Sequence, residues 1–344
     1  MRLEAGKASA YGLYDAEGAI GVRLYSRAEV PGSAWLQTRV DEALSLRDVI
    51  SDDTTAYRLL YGEGDSLPGI VADRYGRYVV VKTYAESAET VLPDVVKALS
   101  KALKLRGISR RTSAGVTPLW GENPPPEVTV SENGLTFIAN LYEGQKTGLF
   151  LDQRVNRQTV RGFARGKSIL NLFSYNGAFS VYALAGDAAH VRSVDIAEAA
   201  NRDAERNVAL NGLDESKHET VTADVFELLK RYAIKQERFD LVILDPPSLA
   251  KNKQSRRAAL RAYERLNAAA LRCVVPGGLL VSSSCTAQVS PTDFHTVLSE
   301  AATRARVRLQ VIHEAGHAPD HPVPVHFPEG RYLKFVIGRV LSEV

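Results

Sequence analysis

The C-terminal half of the chain predicts an α/β fold with a doubly wound, mostly parallel sheet. From about residue 166, short apolar runs alternate with helical patterns, which is typical of a sheet with helices on both faces. Asp245-Pro246-Pro247-Ser248 and Ser282-Ser283-Ser284-Cys285 each follow an apolar run. Because a parallel sheet binds ligands beyond the carboxyl ends of its strands, these segments predict one cleft if their strands are neighbours. We expect strands at 168–173, 190–194, 219–222, 241–244, 279–283 and 332–337, and a helix at 197–210.

The preceding residues predict two smaller regions. Residues 1–30 contain short strands, and residues 31–140 combine helices and strands as in an α+β domain. Within the second region we expect helices at 33–46 and 91–105, and strands at 57–61, 69–72, 78–83, 128–130 and 135–138. Asn133-Gly134 is a strong signal for a two-residue hairpin turn. The sequence therefore predicts three domains, at 1–30, 31–140 and 141–344.

The composition is that of an ordinary globular protein. The chain has 344 residues, of which 45% are hydrophobic and 24% charged, and its formal net charge is +3. No apolar run approaches the roughly 20 residues that span a bilayer, and the N-terminus lacks an apolar secretory core. We therefore expect a cytoplasmic protein without membrane association, in which Cys273 and Cys285 stay reduced.

A basic segment begins directly after the Asp245 turn. Residues 251–272 contain seven lysines or arginines and one acid, Glu264. A solvated helix face would explain this pattern equally well when it is taken alone. Its position beside the predicted cleft favours contact with a polyanion. The residues expected to bind RNA are Lys251, Lys253, Arg256, Arg257 and Arg261.

The loop after the first predicted strand of the sheet has one glycine, Gly177, where a dinucleotide-binding loop has three. A ligand without phosphates, such as S-adenosylmethionine, fits this loop better than a pyrophosphate does. Asp195 and Asp224 end the next two predicted strands, where they could accept from ribose hydroxyls and from an adenine amine. The alternatives are an ordinary turn and carboxylates that only cap helices.

Several motifs together resemble the class I S-adenosylmethionine-dependent methyltransferases, and more narrowly the bacterial large-subunit ribosomal RNA cytosine-C5 methyltransferases. The motifs within the predicted sheet are Asn171-Leu172-Phe173-Ser174-Tyr175-Asn176-Gly177, Ser193-Val194-Asp195, Asp245-Pro246-Pro247 and Ser284-Cys285. Flanking segments at 144–154 and at 321–330 fit the same family. Residues 1 to about 27 resemble the closing strands of a PUA domain, a small β-barrel associated with RNA binding.

The resemblance implies a Rossmann-like domain that binds S-adenosylmethionine, 23S ribosomal RNA as partner and a central domain that helps to hold the RNA. A homodimer is a separate expectation. The residues expected to contact the cofactor are Gln145, Lys146, Phe150, Asn171, Phe173, Ser174, Tyr175, Gly177, Asp195, Ile196, Asp224, Val225, Asp245 and Pro246.

Cys285 is the expected nucleophile. Carbon 5 of a pyrimidine attacks a sulfonium methyl poorly, and addition of a thiolate at C6 makes C5 more nucleophilic. Asp245 would bind the N3–N4 edge of the base, and the resemblance implies Glu329 as the base that removes the C5 proton. The alternatives are a buried structural cysteine, which suits Cys273, and a turn carboxylate at Glu329.

Other functions remain open at this point. A methyltransferase of the same fold could act on guanine, on adenine or on a small molecule, although Ser248 replaces the aromatic residue common after the Pro-Pro turn of amino-group methyltransferases. A non-catalytic RNA-binding assembly factor would not need the Asp245 and Cys285 pair. The histidines between 313 and 326 lie among prolines that break helices, so we expect no metal site.

Overall fold

The computed structural model describes residues 1–17, 20–250 and 252–342. Its contacts group the chain into two compact units. The first unit consists of Met1–Gly134, Ile138–Asp152 and Pro319–Pro328, and the second consists of Leu135–Phe137, Gln153–Ala318 and Glu329–Val344. The three-domain division expected from the sequence stays a prediction. Within the described residues, no helix is long and apolar enough to cross a membrane.

The first unit contains a three-stranded antiparallel sheet and a five-stranded mixed sheet. Its elements in chain order are β1 (Arg2–Ala5), β2 (Ala8–Tyr14), β3 (Val22–Ser26), α1 (Ser33–Leu46), β4 (Ala56–Tyr61), β5 (Ile70–Tyr75), β6 (Tyr78–Thr83), α2 (Leu92–Ala102), β7 (Gly107–Thr112), β8 (Gly115–Gly121) and β9 (Glu127–Glu132). Strand β10 (Leu135–Asn140) follows, and its first three residues, Leu135–Phe137, group with the second unit. The larger sheet has the order β4-β5-β6-β7-β8. The PUA character of the small sheet stays a prediction.

Two local predictions in the first unit are confirmed. Helix α2 is shorter than the predicted 91–105, and it buries Val95 and Leu99 on one face, as their spacing of four residues predicts. Asn133 and Gly134 have φ values of 48° and 75°, the left-handed pair that a tight hairpin turn requires. Strands β7 and β8 were not predicted. Strand β6 pairs in parallel with β7, and α2 connects the two strands.

The second unit is built on a seven-stranded sheet of order β13-β12-β11-β14-β15-β17-β16. Its elements are α3 (Arg154–Gly162), β11 (Ser168–Leu172), α4 (Ala178–Ala185), β12 (His190–Asp195), α5 (Glu198–Leu210), β13 (His218–Thr222), α6 (Val225–Lys235), β14 (Phe239–Leu244), α7 (Arg256–Leu271), β15 (Val274–Ser284), α8 (Pro291–Ala305), β16 (Val307–Ala315) and β17 (Lys334–Ser342). Strands β11 to β15 run parallel, and β17 is antiparallel to both β15 and β16.

This topology confirms the fold class and the cleft argument. Strands β11, β14 and β15 are adjacent in the sheet, with Leu172 opposite Leu244 and Leu244 opposite Ser282. The loops that follow these strands therefore emerge at one edge of the sheet, at the topological switch point where ligands of such folds bind. Strand β16 was not predicted, and β17 begins at Lys334 rather than at residue 332.

Candidate active site

The loop after β11 has an unusual backbone. Phe173, Tyr175 and Gly177 have φ values of 58°, 48° and 72°. A Cβ at Gly177 would lie 2.5 Å from the Cβ of Ala204 in α5, which is closer than real Cβ atoms approach. Only glycine combines this conformation with this contact, so the single glycine of the loop is fixed by packing and by its backbone angle.

Two polar side chains in this loop indicate a ligand. Ser174 and Asn176 are buried, with 7% and 4% of their surface exposed. Ser174 Oγ and Asn176 Nδ2 have no hydrogen-bond partner among the described residues. Because buried polar atoms in native proteins are nearly always paired, a bound polar molecule at this loop would explain both.

Asp195 at the end of β12 fixes the loop and presents a carboxylate. Its Oδ2 accepts from the backbone N–H of Tyr175 at 2.9 Å, and its Oδ1 accepts from the N–H of Ala197 at 2.9 Å. A carboxylate offers about four lone-pair positions, so two of them are left for a ligand. Ile196 beside it is 69% exposed, an apolar surface at the same strand end.

Asp224 at the end of β13 is an exposed helix cap. Its Oδ1 accepts from the backbone N–H of Glu227 at 3.1 Å, so this oxygen caps α6, as the helix-cap alternative predicts. Val225 is buried. The rings of Phe173 and Phe226 meet edge to face with centroids 6.5 Å apart, and Phe226 is 38% exposed. Sequence reasoning missed Phe226, which offers an aromatic surface suited to an adenine.

Asn171 lies deeper than expected. It is buried, and its Nδ2 donates to Ser180 Oγ at 2.8 Å. The chain continues through Ser193 Oγ to His218 Nε2, with distances of 2.7 Å and 2.8 Å. Burial lowers the pKa of His218 to about 4. These hydrogen bonds hold the Asn171 side chain in the protein interior at the end of β11. A cofactor contact by Asn171 stays a prediction.

Three expected cofactor residues belong to the first unit. Lys146 Nζ pairs with the buried Asp152 at 2.7 Å and lies 4.5 Å from the centre of the Phe150 ring. The Gln145 carbonyl accepts from the N–H of Gly148. Their cofactor role stays a prediction.

The Asp245-Pro246 turn after β14 is held by residues that sequence reasoning missed. Gln153 Nε2 donates to Asp245 Oδ2 at 3.0 Å and lies 3.5 Å from Ser283 Oγ. Gln153 Oε1 accepts from Asn156 Nδ2 at 2.6 Å, and Asn156 also donates to the carbonyl of Gly316. Pro246 is buried. Gln153-Arg154 ends the 144–154 segment that resembles the family, and this position was the sequence signal that could have identified Gln153.

The two cysteines have opposite surroundings. Cys273 is fully buried, and burial raises its pKa to about 11. Cys285 is partly exposed directly after β15, and no disulfide joins it to Cys273 in the described chain.

Tyr263 from α7 lies near Cys285. Its hydroxyl forms a hydrogen bond with Thr286 Oγ1 at 2.7 Å, and burial is the largest cause that raises the pKa of Tyr263 to about 12. Both Asp245 and Cys285 act electrostatically on Tyr263, so both lie near it.

The remaining expected residues are distributed over the surface. Glu329 is exposed in a 3₁₀ turn, Pro328–Gly330, shortly before β17. Lys253, Arg257 and Arg261 are exposed at or near the start of α7. Lys251 lies outside the described residues. Arg256 is partly exposed, and its guanidinium pairs with Asp293 at 2.6 Å. The roles of these residues stay predictions.

The fold and the loop geometry agree with comparisons to known proteins. The sequence model that defines the S-adenosylmethionine-dependent methyltransferase family matches residues 84–328 of this chain. The chain belongs to this family. Its residues also fit the cofactor: the unpaired Ser174 and Asn176 atoms, the Asp195 carboxylate and the Phe173–Phe226 surface offer polar and aromatic contacts without a phosphate-binding loop.

Named relatives narrow the comparison. The chain is 38% identical over 315 residues to "Ribosomal RNA large subunit methyltransferase I" of Erwinia tasmaniensis, covering 88% of this chain and 80% of that protein. It is 37% identical over 350 residues to the protein of the same name from Yersinia pestis, covering 98% and 88%. The solved structure of SMU.776, a candidate methyltransferase complexed with SAH, aligns with a TM-score of 0.87 at 28% identity over 96% of this chain and 88% of that one.

Proposed function

We propose that this methyltransferase modifies C5 of a cytosine in 23S ribosomal RNA through a covalent bond to Cys285. Two observations support the proposal. The named relatives are ribosomal RNA large subunit methyltransferases. In this chain an acid and a partly exposed thiol, Asp245 and Cys285, follow adjacent parallel strands. A ribosomal substrate would also place the enzyme in the cytoplasm, as its sequence leads us to expect.

Cys285 and Asp245 carry out the first step, the covalent addition to the base. The thiol loses its proton to solvent, and the thiolate adds to C6 of an unstacked cytosine. As the bond from sulfur to C6 forms, the C5=C6 electron pair is delocalised over C5, C4 and N3, and C5 becomes nucleophilic. Asp245 binds the N3–N4 edge of the base, while Gln153 holds the Asp245 carboxylate in place. S-adenosylmethionine supplies the electrophilic methyl group when it is bound.

The second step restores the thiol and the aromatic ring. A base removes the C5 proton, the electron pair reforms C5=C6, and the bond to sulfur breaks. Glu329 is the residue we assign to this proton transfer. Its exposed carboxylate can exchange the proton with solvent. Unstacking of the target base costs about a few kcal/mol, which contacts from the basic residues Lys253, Arg257 and Arg261 would offset.

The test is nucleoside analysis of large-subunit ribosomal RNA after incubation with the purified enzyme and labelled S-adenosylmethionine. We expect labelled 5-methylcytosine with the wild-type protein and with Cys273→Ala, since Cys273 is buried away from solvent. We expect none with Cys285→Ala, which should still bind SAH. Label in guanine, adenine or a small molecule would contradict the proposal, and binding of RNA without any methyl transfer would indicate an assembly factor.

A further inference from the structure

Lys334 is a buried lysine at the start of β17. Only 5% of its surface is exposed, and it lies opposite Ser284 in the antiparallel pairing with β15. Its Nζ donates to the carbonyl of Thr286 at 2.7 Å and to the carbonyl of Tyr332 at 2.8 Å. The Lys334 backbone therefore pairs with Ser284, the residue before Cys285, and the Lys334 ammonium contacts Thr286, the residue after Cys285.

This ammonium is not neutralised by an acid. Among the residues that the structure describes, no carboxylate forms an ion pair with Lys334. Asp293 from α8 acts on it electrostatically, but Asp293 already pairs with Arg256 and caps α8. Burying an ammonium without a counter-charge is unfavourable even when it is hydrogen-bonded, so a lysine here needs a compensating interaction.

Cys285 supplies that interaction when its sulfur is ionised. Burial is the largest influence on Lys334 and lowers its pKa to about 8. The strongest opposing influence is the Cys285 thiolate. Because an interaction between two charges stabilises both, the Lys334 ammonium favours the thiolate to the same extent as the thiolate favours the ammonium.

Two other ionisable groups that the structure describes near the sulfur, Asp245 and Tyr263, do not favour its negative charge. Asp245 from the end of β14 is an acid, so it adds no positive charge near the sulfur. Tyr263 from α7 stays neutral at physiological pH, since its pKa is about 12. Of these three described groups, Lys334 is the cation.

We propose that Lys334 is a positioning residue that keeps Cys285 ionised for attack on the base. The thiol proton leaves to solvent, and the thiolate pairs with an ammonium that is already protonated at neutral pH. The same charge stabilises the thiolate again when the bond from sulfur to C6 breaks. This inference rests on the proposed role of Cys285 and assigns a partner to it.

The test is the pH dependence of Cys285 alkylation by iodoacetamide, with the modified cysteine located by peptide mass spectrometry. Cys273 is buried and has a raised pKa, so it reacts slowly and does not disturb the reading. In the wild-type enzyme the midpoint should lie below the value of about 8.5 for free cysteine. Lys334→Met should move the midpoint upward by about one pH unit or more, and Lys334→Arg should keep most of the effect. Lys230→Met, on the exposed face of α6, is the matched control and should change nothing.

The wild-type profile decides even if Lys334→Met does not fold, because a midpoint at or above about 8.5 overturns the inference. A folded Lys334→Met protein with an unchanged midpoint also overturns it. The alkylation assay contains no RNA, so its outcome is separate from the methyl-transfer assay. Continued methylation by Cys285→Ala overturns the proposed function, whereas an ordinary alkylation midpoint overturns only the role of Lys334.

Discussion

Gln153→Glu tests the contact that holds Asp245 in the active site. The substitution keeps the shape of the side chain and replaces the amide donor 3.0 Å from Asp245 Oδ2 by a carboxylate oxygen. At that distance two unit charges repel by about 5 kcal/mol at an effective dielectric constant of about 20. Protonating a carboxyl with an ordinary pKa of about 4.3 costs about 4 kcal/mol at pH 7.5 and about 1 kcal/mol at pH 5. The protonated carboxyl can donate to Asp245 as the amide does, so protonation is the less costly response.

We therefore expect the variant to lose about 4 kcal/mol of unfolding free energy at pH 7.5 and to recover most of it at pH 5. The assay is urea unfolding at both pH values, measured relative to wild type. Gln158→Glu is the matched control, because Gln158 is exposed on α3, the helix that begins directly after Gln153. If both variants lose the same small amount at pH 7.5, Gln153 does not donate to Asp245 and the description of this contact is wrong.

Two further predictions concern the cofactor loop and acid stability. Gly177→Ala should abolish most SAH binding in calorimetry and destabilise the fold by more than the roughly 1–2 kcal/mol of a left-handed alanine, since its Cβ would overlap Ala204. Gly212→Ala, at φ 60° with open space around its Cβ, carries only the backbone cost and is the control; equal losses in the two variants would contradict the steric argument. His218 titrates near pH 4 in the folded chain and near 6.5 when unfolded, so the unfolded chain binds the extra proton between these values. Stability should fall by up to about 3 kcal/mol as the pH drops from 7 to 4, and this part of the fall should be absent in His218→Gln; an equal fall in both proteins would refute it.

The elements that the sequence predicted correctly are those with clear periodicity or turn chemistry. The buried strands β11, β14 and β15 read as apolar runs ended by polar segments, and Asn133-Gly134 marked its hairpin. Strands β7 and β16 were missed because charged or polar residues interrupt their apolar positions, at Ser109-Arg110-Arg111 and along the edge strand β16. An edge strand buries little of its surface, so its sequence carries a weak signal.

The sequence correctly placed those site residues whose location depends only on following a strand of the sheet. Asp195, Asp245 and Cys285 follow strands, and adjacent strands bring strand ends together. Gln153 and Lys334 were missed for a different reason. A glutamine near a helix start and a lysine in a strand usually face solvent. Only the tertiary pairing brings Gln153 to Asp245 and places Lys334 opposite Ser284.

The covalent role of Cys285 can be tested directly with large-subunit ribosomal RNA that carries 5-fluorocytidine. Fluorine at C5 leaves no proton to remove, so the bond between sulfur and C6 should persist once the methyl group has been transferred. Wild-type protein and Cys273→Ala should form an adduct with the RNA that survives a denaturing gel and maps to Cys285, and Cys285→Ala should form none. An adduct with Cys285→Ala, or no adduct with an enzyme that makes 5-methylcytosine in ordinary RNA, would contradict the account.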